Sequence, residues 1–549
     1  MGRRLLCMAA LAFSLISCVD IDHRLGQSYL ATGLQYDVYT EEFPIEDIEM
    51  QLPDSVSGFS LYRFTVGAIR DEYFGLTTRS AAFTLVPMDD SLDLGKPGTR
   101  VFKSFHFAAV TDSVSIADPD QANILQNINV YALTEPIDFS SSEPVISYDA
   151  TRRITKGIPV YDGRDSLSFD FTREFGERFL NITQHDLDTI TNYTKRFPGI
   201  YLTVDTPVGI GGRINMFKIP LDVQNGYVFG SGALLNFTAE FDSRGPIDTS
   251  AFFYLGPINI YDLSGVNTTT PSTHPQLSYN KNTHESQNLQ GPVSGDKFYI
   301  EGGNGVKPVI KAAPLRKKLN ELIARHGDPA LAVINKATLE FPFEFPDDYT
   351  LMYRYPTILS PTCRIVSDEG KTSYAGLSDA SVSTENQGNI NRSLCVYAPD
   401  VTHHAQELLK LSADEKITNY DIWLFATATE IVSTTNSNSN SAEMNEYMQN
   451  LMYQSYYNSM YGGYGGYGGY GYGGYGYGGY GGYGGYGYDS YYNNIYTYAL
   501  MAQMYNNSGT QTSTQDLMDF NRYYCAVMDG PAAARKPVFR VTYSIPKED

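Results

Sequence analysis

Side chains able to do acid–base or nucleophilic chemistry are plentiful in this chain but poorly grouped. Its eight histidines are scattered, and only His403 and His404 are adjacent. Neighbours on one element point apart, so the pair is not a ligand set. Neither the zinc-hydrolase spacing His-Glu-x-x-His nor the nucleophile turn Gly-x-Ser-x-Gly occurs. A lone histidine such as His106, on a strand, reads as structural. A glycosidase needs two carboxylates facing one another across a cleft. With 61 acidic residues, spacing alone selects no such pair. Asp118-Pro119-Asp120 carries oxygens that calcium would accept, but a turn opened by aspartate is the expectation. Gly302-Gly303-Asn304-Gly305-Val306-Lys307 has the glycines of a phosphate loop without its Gly-Lys-Ser/Thr ending or strand–helix setting. A turn that uses glycine's positive φ is expected there instead. Trp423, the single tryptophan, is a candidate for stacking on a sugar ring; its alternation with Ile422 and Leu424 favours burial in a core or interface. These residues assign no catalytic group, no metal ligand and no cofactor, and the chain reads as non-catalytic.

One position stands out by context. Arg3-Arg4 is followed by an apolar run from Leu5 to Ile16 and then by Ser17-Cys18. A basic start, an apolar middle of this length and a small residue at the boundary make a secretory signal peptide. The run is shorter than the roughly 20 residues of a membrane-spanning helix. Leu15-Ile16-Ser17-Cys18 resembles the bacterial lipobox, in which cleavage between Ser17 and Cys18 leaves the cysteine as an acylated first residue. Palmitate-class chains on Cys18 would tether the mature protein to a membrane. Cys7 lies in the run without such a context. Three cysteines then remain: Cys363, Cys395 and Cys525. They form no disulfide framework and no Cys-x-x-Cys, although a Cys363–Cys395 bridge stays open.

The bulk properties set the classes that remain. A net charge of −21 argues against nucleic acid as a partner, because phosphate binding needs a basic face. With 42% hydrophobic residues the chain can bury a large core, and 549 residues are enough for two or three domains. No stretch after Ile16 is long and apolar enough for a transmembrane helix.

Period-two alternation is the main structural signal. Leu167, Phe169 and Phe171 share one face, as do Ile128, Val130 and Ala132; Ile200, Leu202 and Val204; and Leu235, Phe237, Ala239 and Phe241. Turn residues such as Asp205-Thr206-Pro207 separate them. Phe175 and Phe179, four apart, suggest one helical turn. Residues 267–295 read as a hairpin or linker. The clearest helix spans 314–326, with Leu315, Leu319, Leu322 and Ile323 in a stripe, Pro314 in its first turn and Gly327 behind it. Further strands are expected at 337–345, 394–397, 422–429, 523–528 and 538–543. The expected fold is mainly β: two antiparallel β-sandwich, jelly-roll-like domains with a few short helices. The expected organisation is a signal peptide (1–17), a lipid-anchored tether with a first strand near Tyr36–Tyr39 (18–54), and sandwiches at 55–295 and 296–549.

Inside the second sandwich, at about 445–510, lies a Gly/Tyr-rich insertion in which Tyr461, Tyr464, Tyr467 and Tyr470 set a repeat. Without aliphatic side chains it cannot form an interdigitated core, so a disordered loop is expected, flanked by short helices at 442–459 and 494–506. A tolerated surface-loop insertion is the favoured reading; in the alternative its tyrosines are candidate ligand-stacking aromatics for a glycan, a peptide or self-association.

Four stretches in order, Phe197-Pro198-Gly199-Ile200-Tyr201-Leu202, Gly302–Lys307, Val333-Ile334-Asn335-Lys336-Ala337-Thr338-Leu339 and Phe539-Arg540-Val541-Thr542-Tyr543, together with the lipobox, make the chain resemble the Bacteroidetes lipoproteins of domain-of-unknown-function family 4270. The resemblance implies an outer-membrane lipoprotein built of sandwiches and supplies no catalytic residues; the Gly/Tyr tract departs from it. Acidic Val19-Asp20-Ile21-Asp22 behind Cys18 resembles the surface-export signal of that phylum. Asp54-Ser55-Val56, Asp112-Ser113-Val114 and Asp165-Ser166-Leu167 resemble its O-glycosylation sites. The expected function is a surface-exposed binding or assembly module at the outer membrane, beside a barrel protein, with glycan capture as the alternative.

Overall fold

The computed structural model describes residues 35–54, 56, 63–87, 92–140, 143–219, 222–224, 227–241, 245–255, 277–366, 370, 372–379, 387–412, 415–435 and 510–547. The protein is mainly β, and its strand pairings are antiparallel. Two large cores define two sheet-on-sheet bodies.

In the first body a nine-stranded sheet is built around the strands Arg63–Asp71, Gly75–Phe83, Gln126–Leu133, Ile200–Val204 and Gly211–Lys218. It faces a five-stranded sheet that includes Val101–Ala109, Leu167–Asp170, Gly232–Ala239 and Ile247–Leu255. Alternation places Phe105 and Phe107 inside while His106 faces out. Phe102 is also buried, out of phase with them, because the register against Asn236 and Phe237 shifts there. The helical turn expected at Phe175 and Phe179 is the two-turn helix Arg173–Leu180. Thr172 caps it by accepting from the Phe175 amide at 3.3 Å. Both phenylalanines close over Phe105, with ring centroids 6.3 and 5.0 Å away. Of the region 267–295, the described part opens with the strand Ser278–His284, paired along Gly75–Phe83.

The second body begins earlier in the chain than its sequence suggests. Tyr36–Pro44 pairs along Val538–Pro546, and Ile48–Gln51 pairs with Lys307–Ile310. The stretch 36–51 is thus built into the later half of the chain. Its inward phase is Tyr39, Glu41 and Phe43; the acid in the middle is what blurs the alternation. Glu41 lies beside His326 at 3.7 Å, and Tyr39 stacks on the same imidazole. The five-stranded sheet runs Tyr36–Pro44, Val538–Pro546, Val333–Pro342, Val396–Tyr397, Ile390–Asn391. A seven-stranded sheet centred on Ile422–Thr435 lies opposite.

The helix expected at 314–326 spans Ala312–Ile323, with the foreseen leucine stripe buried. It begins two residues early because the Asp421 carboxylate accepts from the Ala312 amide at 2.8 Å. The helix Thr402–Lys410 packs beside it. The strand expected at 394–397 shrinks to Val396–Tyr397, since Cys395 takes a positive φ of 50° at the turn before it. The Gly/Tyr tract and both of its expected flanking helices fall outside the described residues.

Candidate functional site

A group of buried charges lies where the two bodies meet. Arg79 and Thr77 sit on the strand Gly75–Phe83, and His284 ends the strand Ser278–His284. From the second body come Glu301, the glycine turn 302–306, Lys307, Arg354 and the segment 519–525. Arg79 is 1% exposed, Glu301 0% and Lys307 1%. Groups of this kind are almost never fully buried without partners.

The glycine turn organises the group. The Glu301 amide donates to Val306 O, and the Gly305 amide to Gly302 O, which closes the turn. Gly303 has φ +61°, a conformation that glycine adopts without strain. Lys307 folds its Nζ back into the turn. It donates to the carbonyls of Gly305 at 2.7 Å, Gly303 at 3.0 Å and Glu301. Burial pulls the Lys307 pKa down to about 7, against the pull of Glu301. Three carbonyl acceptors nonetheless match the three N–H groups of an ammonium. The motif is thus a lysine-locked turn, and its carbonyls face inward where a phosphate loop would offer amides.

Glu301 is held from the other body. Thr77 donates to its Oε1 at 2.8 Å, and His284 Nδ1 lies 2.5 Å from the same oxygen. The other ring nitrogen of His284 is 2.5 Å from Asn304 Oδ1. Burial disfavours the Glu301 carboxylate, yet His284 and the hydrogen bonds from His284, Ser286 and Thr77 hold its pKa down to about 2. Close by, Arg354 pairs with Asp71 across the junction, and its guanidinium lies 5.7 Å from the Tyr523 ring centroid. Burial pushes the Cys525 thiol well up, so it is a neutral packing group and not a thiolate.

Elsewhere, one arrangement imitates a catalytic pair. Ser378 Oγ is 2.9 Å from His403 Nδ1, and Glu407 is 3.5 Å from that same nitrogen. A relay requires serine and acid on opposite ring nitrogens, so this geometry cannot pass a proton between them. Asp379 caps the helix, accepting from the His403 and His404 amides.

The residues singled out from sequence do not converge. Trp423 is 4% exposed, packed with Val309 and Phe425 and edge-on to Tyr374 at 5.2 Å. This corrects its candidacy for ligand stacking: its face is covered by its own sheet's neighbours. Tyr461, Tyr464, Tyr467, Tyr470, Ser17 and Cys18 lie outside the described residues. Asp118 opens a short 3-10 helix by accepting from the Asp120 amide at 2.9 Å, the turn role expected of it. His106 pairs with Asp170 at 2.9 Å on the surface. Cys363, Cys395 and Cys525 are free thiols; Cys525 is buried and the other two are half-buried. Among the described residues no three His, Cys, Asp or Glu side chains are placed to hold a metal. No described helix is long and apolar enough to cross a membrane.

Sequence reasoning noted the glycine turn and Lys307 but missed Arg79, His284, Glu301 and the Asp71–Arg354 pair. Arg79 did leave a signal: it shares a strand face with Ala81 and Phe83, where an arginine needs a buried partner. No protein-family model, no curated protein and no solved structure matches the chain.

Proposed function

We propose that the protein is a lipid-anchored, non-catalytic binding or assembly module on the outer membrane, in the manner of the Bacteroidetes family it resembles. The observation that carries this reading is the leader: Arg3-Arg4, the apolar run and Ser17-Cys18. The double sandwich supports it, because two bodies joined through a buried polar junction give a stiff scaffold for presenting surfaces. Replacing Cys18 by serine tests the anchor. Radiolabelled palmitate should enter the parent protein and not the variant, and the variant should leave the envelope fraction. Envelope retention of the variant, with no label in the parent, overturns the reading. Protease added to intact cells should digest the protein if it faces outward.

A second reading, glycan capture, rests on a different feature. Tyr73, Tyr349 and Tyr353 are 45%, 72% and 77% exposed. Tyr73 lies two residues from Asp71 and Tyr353 adjoins Arg354, so the Asp71–Arg354 pair draws together the segments that carry them. Flat aromatic faces beside polar groups suit sugar rings. A glycan array should give hits that vanish in a Tyr73→Ala/Tyr353→Ala variant.

A further inference from the structure

The solvent-facing side of the five-stranded sheet in the second body changes character along its length. Residues directly opposite one another on Tyr36–Pro44 and Val538–Pro546 share a face, so the register sorts that side into rows. Glu42 lies against Arg540, which also pairs with Glu340 at 2.9 Å. The next row holds Thr40 and Thr542, their hydroxyls 3.0 Å apart. Then come Val38, Ser544 and Val333, and last Tyr36 with Pro546. Between Glu42 and Tyr36, charge gives way to hydroxyls and hydroxyls to apolar groups. Val38 is 62% exposed, Tyr36 46% and Val333 43%; Leu331, two residues before Val333, is 58% exposed. Single exposed aliphatics are ordinary, but neighbours held in register without a charge between them form a patch.

The patch lies where the chain enters the sheet. One residue before Tyr36, the Gln35 carbonyl accepts from the Lys547 amide at 2.8 Å. Cys18 and Gln35 are 17 residues apart, so acylation of Cys18 keeps this end of the sheet within about 60 Å of the bilayer even at full extension. So few side chains fall well short of the roughly 20–30 residues a side that hold a protein partner from solution. On a tethered molecule the contact is intramolecular, and a small patch suffices.

We propose that this end of the sheet docks on the bilayer that holds Cys18, setting Tyr36, Val38, Val333 and Leu331 at the acyl boundary of a zwitterionic phospholipid surface. Tyrosine suits that boundary, because its ring is apolar and its hydroxyl can stay wet. The Thr40–Thr542 row then lies among the headgroups. The Glu42–Arg540 row lies in water, since Glu42 is four residues up the strand from Val38, about 13 Å. This docking rests on the lipid-anchor reading and adds to it the face that the anchored protein turns to the membrane.

The test uses the full acylated protein, reconstituted in phosphatidylcholine vesicles with and without bromine on the acyl chains near the headgroup. Bromine quenches tryptophan at contact range, and the native Trp423 is 4% exposed, so the unsubstituted protein sets the background. Val38→Trp should lose its added emission in brominated vesicles. Glu42→Trp, on the same strand, and Val145→Trp, 82% exposed in the first body, should keep theirs. Adding Val333→Asp should restore the emission of Val38→Trp, because a carboxylate does not enter the acyl region. All four positions are exposed, so none of these changes disturbs a core. Flotation with the vesicles and palmitate label read the anchor separately. A protein that floats while Val38→Trp is quenched no more than Val145→Trp overturns the docking and leaves the anchor standing. A protein that carries no palmitate and does not float overturns both.

Discussion

Arg354 and Asp71 form an ion pair that crosses from one sandwich to the other, with side chains 14% and 6% exposed. Asp71 also accepts from the Tyr73 amide at 2.8 Å and the Phe74 amide at 3.2 Å, so one carboxylate shapes a turn and anchors the junction. Removing the cation alone leaves a buried carboxylate without its counter-charge. Arg354→Met should therefore lose about 3–5 kcal/mol in urea unfolding. The double variant Asp71→Asn/Arg354→Met should lose clearly less than the two single losses summed. Additivity within about 0.5 kcal/mol would mean that the two residues do not stabilise one another.

Two glycines with positive φ separate backbone strain from crowding. Gly98 has φ +85° and open space where a methyl group would stand, with nothing within 4 Å, whereas Gly303 has φ +61° and Arg79 Nη2 at 2.7 Å from that point. Gly98→Ala should cost only the left-handed penalty, about 1–2 kcal/mol. Gly303→Ala should cost that and the displacement of a buried guanidinium, exceeding Gly98→Ala by at least about 1 kcal/mol. Equal losses in thermal unfolding would show that the Arg79 side chain gives way freely.

What was legible in the sequence followed from regular burial. Leu167 and Phe169 alternate against Ser168 because a half-buried strand demands it, and Leu315, Leu319, Leu322 and Ile323 mark a helix face. The first strand was partly legible: it was expected near Tyr36, but its partner, Val538–Pro546, lies some 500 residues away, and alternation carries no information on pairing. The junction was legible only as a glycine turn. Arg79, His284 and Glu301 come from three separate stretches, and each alone is an ordinary polar residue. Only the docking of two sandwiches makes them neighbours.

Trp423 separates stability from ligand binding. It pairs across the sheet with Val309 and Thr362 and is covered by Tyr374. Trp423→Ala should therefore lose about 3–5 kcal/mol, as a large buried aromatic does. At a temperature where the variant is folded, any glycan binding should match the parent. Selective loss of glycan binding with unchanged stability would return Trp423 to the surface-stacking role that its burial contradicts.

Acid sensitivity should fall into two windows with different owners. Burial pulls His404 from its usual 6.5 down to about 4, while its Nε2 keeps a 3.0 Å hydrogen bond to the Tyr420 carbonyl. The unfolded chain takes up that proton near pH 6.5 and the folded chain only near 4. The stability is fully present above 6.5 and is lost as pH falls towards 4. The slope for one proton is at most about 1.4 kcal/mol per pH unit, on the order of 3 kcal/mol across the window. Glu301 acts lower: its usual 4.5 falls to about 2, so its contribution is present above 4.5 and lost between 4.5 and 2. His404→Gln keeps a donor for Tyr420 and cannot titrate. Urea unfolding at pH 7, 5.5, 4.5 and about 3 should show a flatter decline down to 4.5 in His404→Gln than in the parent. Glu301→Gln should leave that decline unchanged and soften the loss below 4.5. If His404→Gln declines as steeply as the parent between pH 6.5 and 4.5, the proton is taken up elsewhere and His404 is not the group that sets the upper window.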